Sequence, residues 1–265
     1  MRTTSLQPRS MVLVCLCCMA VSCFGQVVVQ SRYYDTFNER WLDPNKWLAT
    51  YPNCWGTLEC VREIQNGKLR LAVRDFGTTN SDAGVQWSES PMFFVNPNIV
   101  TSITADVAPK SFSGLGCATN NTDLTHTQVM IGGSYFNSGS GDPSDDVMAF
   151  LIIWIDTNNP TYMNVLNWWG WRDQAQWSDM GTYPIGTVFT GKHAWDRTNH
   201  QFVASLTVKN TGQTVTTNQS YTMPDGAPAA NPYKYLTTQA HSLNCTSAKT
   251  FAQAEATFDN VIINH

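Results

Sequence analysis

The fold is decided by the stretch VMAFLIIWI at residues 147–155. All nine side chains are apolar, four of them are β-branched, and turn-forming residues flank the run on both sides. A short continuous apolar run between turn formers is typical of a strand with both faces covered at the centre of a sandwich. We therefore predict a central β-strand here with protein packed on both sides.

Outward from this stretch, apolar residues recur with period two between turn formers, which indicates strands with one buried side. The alternation is found at residues 67–74, 99–107, 162–169, 201–209 and 256–263. Helical evidence is limited to one turn at 43–48, where Asp43 is placed to cap and Pro44 to stand at the first helical position. Many short strands with almost no helix predict an all-β, two-sheet antiparallel β-sandwich of the jelly-roll kind.

The first 25 residues have the layout of a secretory signal peptide. Arg2 and Arg9 supply positive charge, and the apolar run at 11–24 is too short for a bilayer, which needs about 20 residues. Cleavage is predicted after Gly25, which leaves residues 26–265 as one domain. A lipoprotein with Cys23 as its lipidated N-terminus is the alternative. The mature chain is thus expected to be secreted, periplasmic or on the cell surface, without a transmembrane segment.

The signal peptide contains four of the eight cysteines, so Cys54, Cys60, Cys117 and Cys245 remain. Four cysteines in an oxidising compartment predict two disulfides, for which three connectivities are possible. We prefer Cys54 with Cys60, because a six-residue separation closes a local loop readily, together with Cys117 and Cys245. A zinc site is disfavoured, because no C-x-x-C pair and no closely spaced histidine accompanies these cysteines.

The charge balance of the mature chain bears on its partners. It contains 14 Lys and Arg against 20 Asp and Glu, which gives a net charge of −6 with neutral histidines. A nucleic-acid partner would need a basic face. The negative net charge therefore argues against a nucleic-acid partner.

Motifs near both ends of the mature chain resemble one superfamily. They are Asp35-Thr-Phe37, Leu42-Asp-Pro-Asn-Lys-Trp47, Asn66-Gly-Lys-Leu69-Arg-Leu71 and Ala256-Thr-Phe258-Asp-Asn-Val261. These strings resemble the first and last strands of concanavalin A-like lectin/glucanase domains. The resemblance implies two stacked antiparallel sheets with one concave face, in which the first and last strands are neighbours.

The same resemblance implies a structural calcium ion, held on the convex side with the help of an acid of the last strand. Asp259 matches that position, and Asp35 would lie beside it if the two ends of the chain pair. Calcium takes six to eight oxygen ligands. A buried Asp that hydrogen-bonds to turn backbone is an equally good reading of Asp259.

Catalysis is not indicated by any motif, and the fold itself hosts lectins, hydrolases, lyases and adhesion modules. Retaining glycosidases need two carboxylates about 5–5.5 Å apart, yet the Glu-x-Asp-x-Glu string of laminarinase-like members is missing. Glu59 and Glu63 have an i,i+4 spacing but are expected to be surface carboxylates in a loop. The histidines are scattered, so we predict no catalytic residue. An enzyme would have to use acids among Glu59, Glu63, Glu89, Asp145, Asp146 and Asp156.

A tryptophan-rich segment is the strongest chemical feature. The candidate carbohydrate-binding residues are Trp168, Trp169, Trp171, Arg172 and Trp177, interleaved with amide and charged side chains. Flat aromatic faces beside polar groups suit sugar rings, although alternate residues of a strand also bury in a core. We predict an extracellular carbohydrate-binding or surface-interaction module. A glycoside hydrolase or polysaccharide lyase is the second hypothesis, and a structural envelope protein without a small ligand is the third.

Overall fold

The computed structural model describes residues 33–48, 58–120, 127–155 and 159–265, all within the compact unit Arg32–His265. The signal peptide, the lipidation site at Cys23 and the domain boundary at residue 26 lie outside these residues and stay predictions. Among the described residues, no helix is both long and apolar enough to cross a membrane.

The described residues form fourteen strands in two antiparallel sheets, which confirms the predicted all-β sandwich. Two 3-10 turns, Pro97–Ile99 and Pro143–Asp145, accompany them. In chain order the strands are β1 (Leu58–Gln65), β2 (Lys68–Phe76), β3 (Val85–Phe93), β4 (Ser102–Leu115), β5 (Thr127–Asn137), β6 (Asp146–Ile155), β7 (Tyr162–Trp171), β8 (Gln174–Pro184), β9 (Phe189–Asp196), β10 (Gln201–Val208), β11 (Thr214–Ser220), β12 (Ala227–Pro228), β13 (Lys234–Leu243) and β14 (Phe251–Ile263).

The first sheet has the strand order β1-β2-β14-β4-β9-β10-β11, and the second has the order β3-β13-β5-β6-β7-β8, with β12 beside β5. The core lies between the sheets. The first sheet contributes side chains such as Leu71, Ile103 and Phe258, and the second contributes Ile131 and Leu236, all fully buried. Burying these alternate residues is the main favourable term in folding such a sandwich.

The decisive apolar stretch forms β6, but only one of its faces enters the core. Leu151 and Ile153 point between the sheets, whereas Phe150 and Ile152 lie on the outer face of the second sheet. Our expectation of protein on both sides was therefore wrong in part. Aromatic side chains from neighbouring strands, rather than another layer of backbone, cover the outer face.

Two strand starts differ from the sequence prediction by three residues or more. β14 begins at Phe251 rather than at residue 256. The strand expected from residue 99 begins at Ser102, because Pro97 starts a 3-10 turn that leaves Ile99 62% exposed. The turn at Asp43 forms, with Lys46 N and Trp47 N donating to Asp43 O, but it does not continue into a helix.

Both ends of the described chain meet in the first sheet. Asp35 pairs with Val261 by a backbone bridge, and β2 pairs with β14. The Cys117–Cys245 disulfide is present as predicted. Cys60 is also disulfide-bonded, whereas its expected partner Cys54 lies outside the described residues.

Lys234 sets the orientation of β13. Its side chain is 2% exposed and points inward, where Nζ donates to Ser134 O at 2.8 Å and to Pro97 O at 3.0 Å. Burial lowers the pKa of this ammonium group to about 7. Because side chains alternate along a strand, the inward lysine turns Tyr233 and Tyr235 to the outer face.

Gly132 on β5 is a point of very close approach between two strands of the second sheet. A Cβ atom there would lie 2.1 Å from Ala149 O and 2.8 Å from Phe150 Cδ1. The partner is backbone, so it cannot move aside as a side chain can. The close approach of β5 and β6 therefore requires glycine.

We expect Gly132→Ala to lower the free energy of unfolding by about 3 kcal/mol or more, because the added methyl overpacks a contact with backbone. Urea unfolding measures the change. Gly226→Ala is the matched control, since nothing lies within 4 Å of a Cβ atom at that position. Equal stabilities for the two variants would contradict the close approach.

Candidate functional site

A row of aromatic side chains crosses the outer face of the second sheet. We call it the aromatic row. Its members are cross-strand partners, one from each of six neighbouring strands, and all but the glycine of β5 have rings. From β3 to β8 they are Phe93, Tyr235, Gly132, Phe150, Trp168 and Trp177. With five strand spacings, the row is roughly 24 Å long. Each member thus sits on a different strand, and the row runs perpendicular to all six.

Packing holds the aromatic row together across its glycine. Phe150 stacks on Tyr235 with ring centroids 5.9 Å apart and on Trp168 with centroids 5.7 Å apart. Phe93, Tyr235 and Phe150 are buried, Trp168 is half-buried and Trp177 is 64% exposed. Accessibility of the rings therefore increases toward β8.

A second row lies four residues further along the same strands and is mostly polar. We call it the polar row, and its cross-strand partners are Glu89, Gln239, Gln128 and Trp154. The Gln128 amide donates from Nε2 to Gln239 Oε1. Met130 and Ile152 lie between the two rows, so apolar surface connects them.

Two cavities of about 370 Å³ and 320 Å³ lie over these rows. Both are lined by Tyr233, Tyr235 and Gln239, and together they form what we call the groove. Trp87, 45% exposed, and Glu89 line its β3 side, whereas Trp168 lies toward β7. Flat rings beside amide, phenol and carboxyl groups offer both stacking and hydrogen bonding.

Glu89 is the carboxylate that lines the groove. Burial raises the pKa of its carboxyl to about 7. Burial also raises the pKa of Tyr233 and of Tyr235, and the nearby Glu89 carboxyl raises both further. The two phenols therefore remain protonated donors at neutral pH.

The tryptophan-rich segment is divided between two sides of its hairpin. Trp168 and Trp177 are cross-strand partners on the outer face. Trp169 points the opposite way and is 2% exposed, in a cluster with Phe136 and Tyr221. The period-two geometry of β7 produces this division.

Trp171 and Arg172 lie at the tip of the same hairpin. Trp171 donates from Nε1 to Ser138 Oγ at 3.0 Å, and the Arg172 guanidinium covers its ring at 4.7 Å while pairing with Asp145. With Trp169 they line a separate cavity of about 490 Å³. A ligand role for Trp169, Trp171 and Arg172 stays a prediction, and the groove does not contain them.

The remaining candidate acids do not converge on the groove. Glu59 and Glu63 lie on strand β1 rather than in a loop, in the first sheet, with Arg74 at 3.9 Å and Arg70 at 2.8 Å. Neither Asp145 nor Asp146 lines the groove. Asp145 pairs with Arg172, Asp146 accepts from the backbone N–H groups of Ala230 and Asn231, and Asp156 is outside the described residues.

The two predicted calcium ligands have partners of their own. Asp35 accepts from Phe37 N at 2.9 Å and from Trp47 Nε1 at 2.7 Å, and Asp259 accepts from Asn260 N at 2.8 Å. Within the part of the chain that the structure describes, neither belongs to a group of three close acidic, cysteine or histidine ligand atoms. The calcium site stays a prediction.

Sequence reasoning missed most of the groove. Trp87, Gln128 and the stretch that contains Tyr233, Tyr235 and Gln239 are three separate segments of the chain. No local pattern marks any of these residues as part of a site. Cross-strand register alone brings them together. One available signal was the spacing of Trp87, Glu89 and Phe93, which share one face of a strand.

Comparison with known proteins gives likenesses of structure only. A scan against protein-family models finds no match, and neither does a search of curated protein sequences. A protein of unknown function from Shewanella oneidensis MR-1 has a TM-score of 0.41 at 14% identity, over 83% of this chain and 80% of that one.

Two further solved structures are a lectin and a polysaccharide lyase. Lectin II from Ulex europaeus has a TM-score of 0.33 at 9% identity, over 83% of this chain and 97% of its own. A mutant alginate lyase in complex with alginate tetrasaccharide has a TM-score of 0.34 at 14% identity, over 77% and 85%. At these scores the ligands of those proteins say nothing about this chain.

We expect the free energy of unfolding to fall as pH rises, because Glu89 has a raised pKa in the folded state. The carboxyl binds its proton more tightly in the folded state, so its stabilising contribution is complete below the unfolded pKa of 4.5 and is lost as pH rises through about 7. Between pH 4.5 and 7.5, the free energy of unfolding should fall by about 3 kcal/mol more in the wild type than in Glu89→Gln.

Urea unfolding at a series of pH values measures this difference. Glu59→Gln is the control, because its side chain is 73% exposed on the other sheet, and its curve should follow that of the wild type. Parallel curves for the wild type and Glu89→Gln would show that Glu89 is not desolvated.

Proposed function

We propose that this protein binds an extended glycan chain across the outer face of its second sheet. The aromatic row is the observation that carries the proposal. A solvent-facing side of an antiparallel sheet is normally polar. Here five of six neighbouring strands present rings in register over roughly 24 Å, and the sixth, β5, contributes Gly132.

The accessible rings support a sugar rather than a purely packing role. Trp177 is 64% exposed and Trp87 is 45% exposed, and the half-buried Trp168 lies between them on the face. Aromatic side chains are costly to leave in water and contribute strongly to binding. Trp87 lines the β3 side of the groove, and Trp177 lies beyond Trp168 on the same face. Exposed rings on both sides of the groove favour a ligand with several units over a single monosaccharide.

The polar row supplies the complementary hydrogen bonds. Gln128 and Gln239 carry amide donors and acceptors, and Glu89 adds a carboxyl. Sugar hydroxyls both donate and accept, so such mixed groups suit them. The Cys117–Cys245 disulfide fits an oxidising compartment, and export and membership of the concanavalin A-like superfamily are parts of the same proposal.

A glycan-cleaving enzyme is the second candidate, favoured by the Glu89 carboxyl. A pKa near 7 suits a group that transfers protons at neutral pH. Hydrolysis by the usual routes requires a second carboxylate on the opposite side of the bond, and among the described lining residues of the groove Glu89 stands alone. Binding without cleavage is therefore the preferred function.

Substitution of the exposed rings tests the binding proposal. We expect Trp177→Ala and Trp87→Ala each to weaken binding to a retained polysaccharide by about tenfold or more, because each removes a stacking surface. Affinity electrophoresis across a panel of soluble polysaccharides, followed by calorimetry with the one most strongly retained, provides the measurement.

Trp41→Ala is the control, because Trp41 is 75% exposed beside Arg40 and lies outside both sheets. Its affinity should equal that of the wild type. If the wild type binds a polysaccharide, and Trp177→Ala and Trp87→Ala bind it as tightly as the wild type does, the binding site lies elsewhere. Release of shorter sugars by the wild type but not by Glu89→Gln would instead support the enzyme.

A further inference from the structure

The two sheets differ sharply in their basic residues. Seven strands in the first sheet contain six lysines and arginines, which are Arg62, Lys68, Arg70, Arg74, Lys110 and Lys192. Seven strands in the second sheet contain only Lys234, whose side chain is buried and points inward. The outer face of the second sheet thus has no lysine or arginine on its described strands.

The lining of the groove also lacks basic side chains among the described residues. No lysine or arginine lines either cavity among the described residues. Lys234 lies between the lining residues Tyr233 and Tyr235 in sequence, but its side chain points inward. Lys46 lies two residues before the lining residue Leu48, with its Nζ 3.8 Å from Asp35 and 4.0 Å from Asp43. The segments 49–57, 121–126 and 156–158 contain no lysine or arginine in their sequences.

Carboxylates, in contrast, do lie on this face. Glu89 lines the β3 side of the groove, and the exposed Asp179 is the cross-strand partner of Leu166 near Trp177. Tyr233 and Tyr235 beside Glu89 offer neutral hydroxyls. Once Glu89 is ionised, above its pKa of about 7, an anionic ligand would therefore meet like charge on both sides, with no cation between them among the described residues.

A site that recognises acidic sugars needs cationic side chains that face the ligand. Carboxylate and sulfate groups are usually bound by arginine or lysine, whose charge offsets the loss of hydration. A buried anion without such a partner is strongly disfavoured. We propose that the groove selects uncharged polysaccharides and rejects uronate-containing or sulfated ones, with Glu89 as the residue that determines this specificity.

This inference rests on the proposed glycan-binding function and goes further by naming the ligand class. Matched polysaccharide pairs test it: hydroxyethylcellulose with carboxymethylcellulose, galactan with polygalacturonate, and dextran with dextran sulfate. At pH 8, where Glu89 is ionised, we expect a neutral member to be retained about tenfold or more tightly than its acidic partner at low salt. The discrimination should shrink at 0.5 M salt, as screening shortens the range of repulsion to ~5 Å.

Glu89→Gln should reduce the preference within a pair, because it removes the charge while keeping the shape. Asp179→Asn is the second variant, exposed on β8, and should reduce the preference even if Glu89→Gln does not fold. Glu59→Gln on the first sheet should leave the preference unchanged.

Each outcome is decisive. Stronger retention of an acidic member, persisting in Glu89→Gln and Asp179→Asn, overturns the inference while the glycan-binding function stands. Retention of no member overturns both. Equal loss of preference in Glu59→Gln shows that net charge rather than the groove is responsible, which also overturns it.

Discussion

The close approach of β5 and β6 at Gly132 is the constraint on which the site depends. Because residue 132 has no side chain, Ala149 O can lie 2.1 Å from the position that a Cβ atom would take. The rings of Tyr235 and Phe150, on the two strands beside β5, stack over this glycine. This contact joins the two halves of the aromatic row. A side chain at that position would separate the rings and remove the register that makes the face continuous.

The two sheets of the sandwich differ in the side chains that they present. The first sheet holds the meeting point of the chain ends at Asp35 and Val261 and almost all strand lysines and arginines, in ion pairs such as Arg70 with Glu63 and Glu255. The second sheet has one inner face for the core and one outer face of rings and amides. Because alternation along a strand keeps these faces independent, the outer face can change without altering the core.

Burial explains the chemistry of the groove. The neighbours of Glu89 are largely aromatic, and the same desolvation that raises the pKa of its carboxyl also keeps the phenols of Tyr233 and Tyr235 protonated. The groove thus combines a titratable carboxyl with neutral donors. Such a set offers hydrogen-bond donors and acceptors that suit hydroxyl groups, and its charge pattern is the basis of the proposed preference for uncharged polysaccharides.

The sequence by itself determined the all-β sandwich, because strand alternation is a local property. The number of cysteines limited the disulfide connectivities to three, one of which pairs Cys117 with Cys245 as the structure does. The sequence did not determine that Trp168 faces outward while Trp169 faces the core, since alternation leaves open which side is buried. Nor did it reveal the groove, whose residues from β3, β13 and β5 are far apart in the chain. Only the tertiary structure decided those points, because hydrogen-bonded register between distant strands sets which side chains share a face.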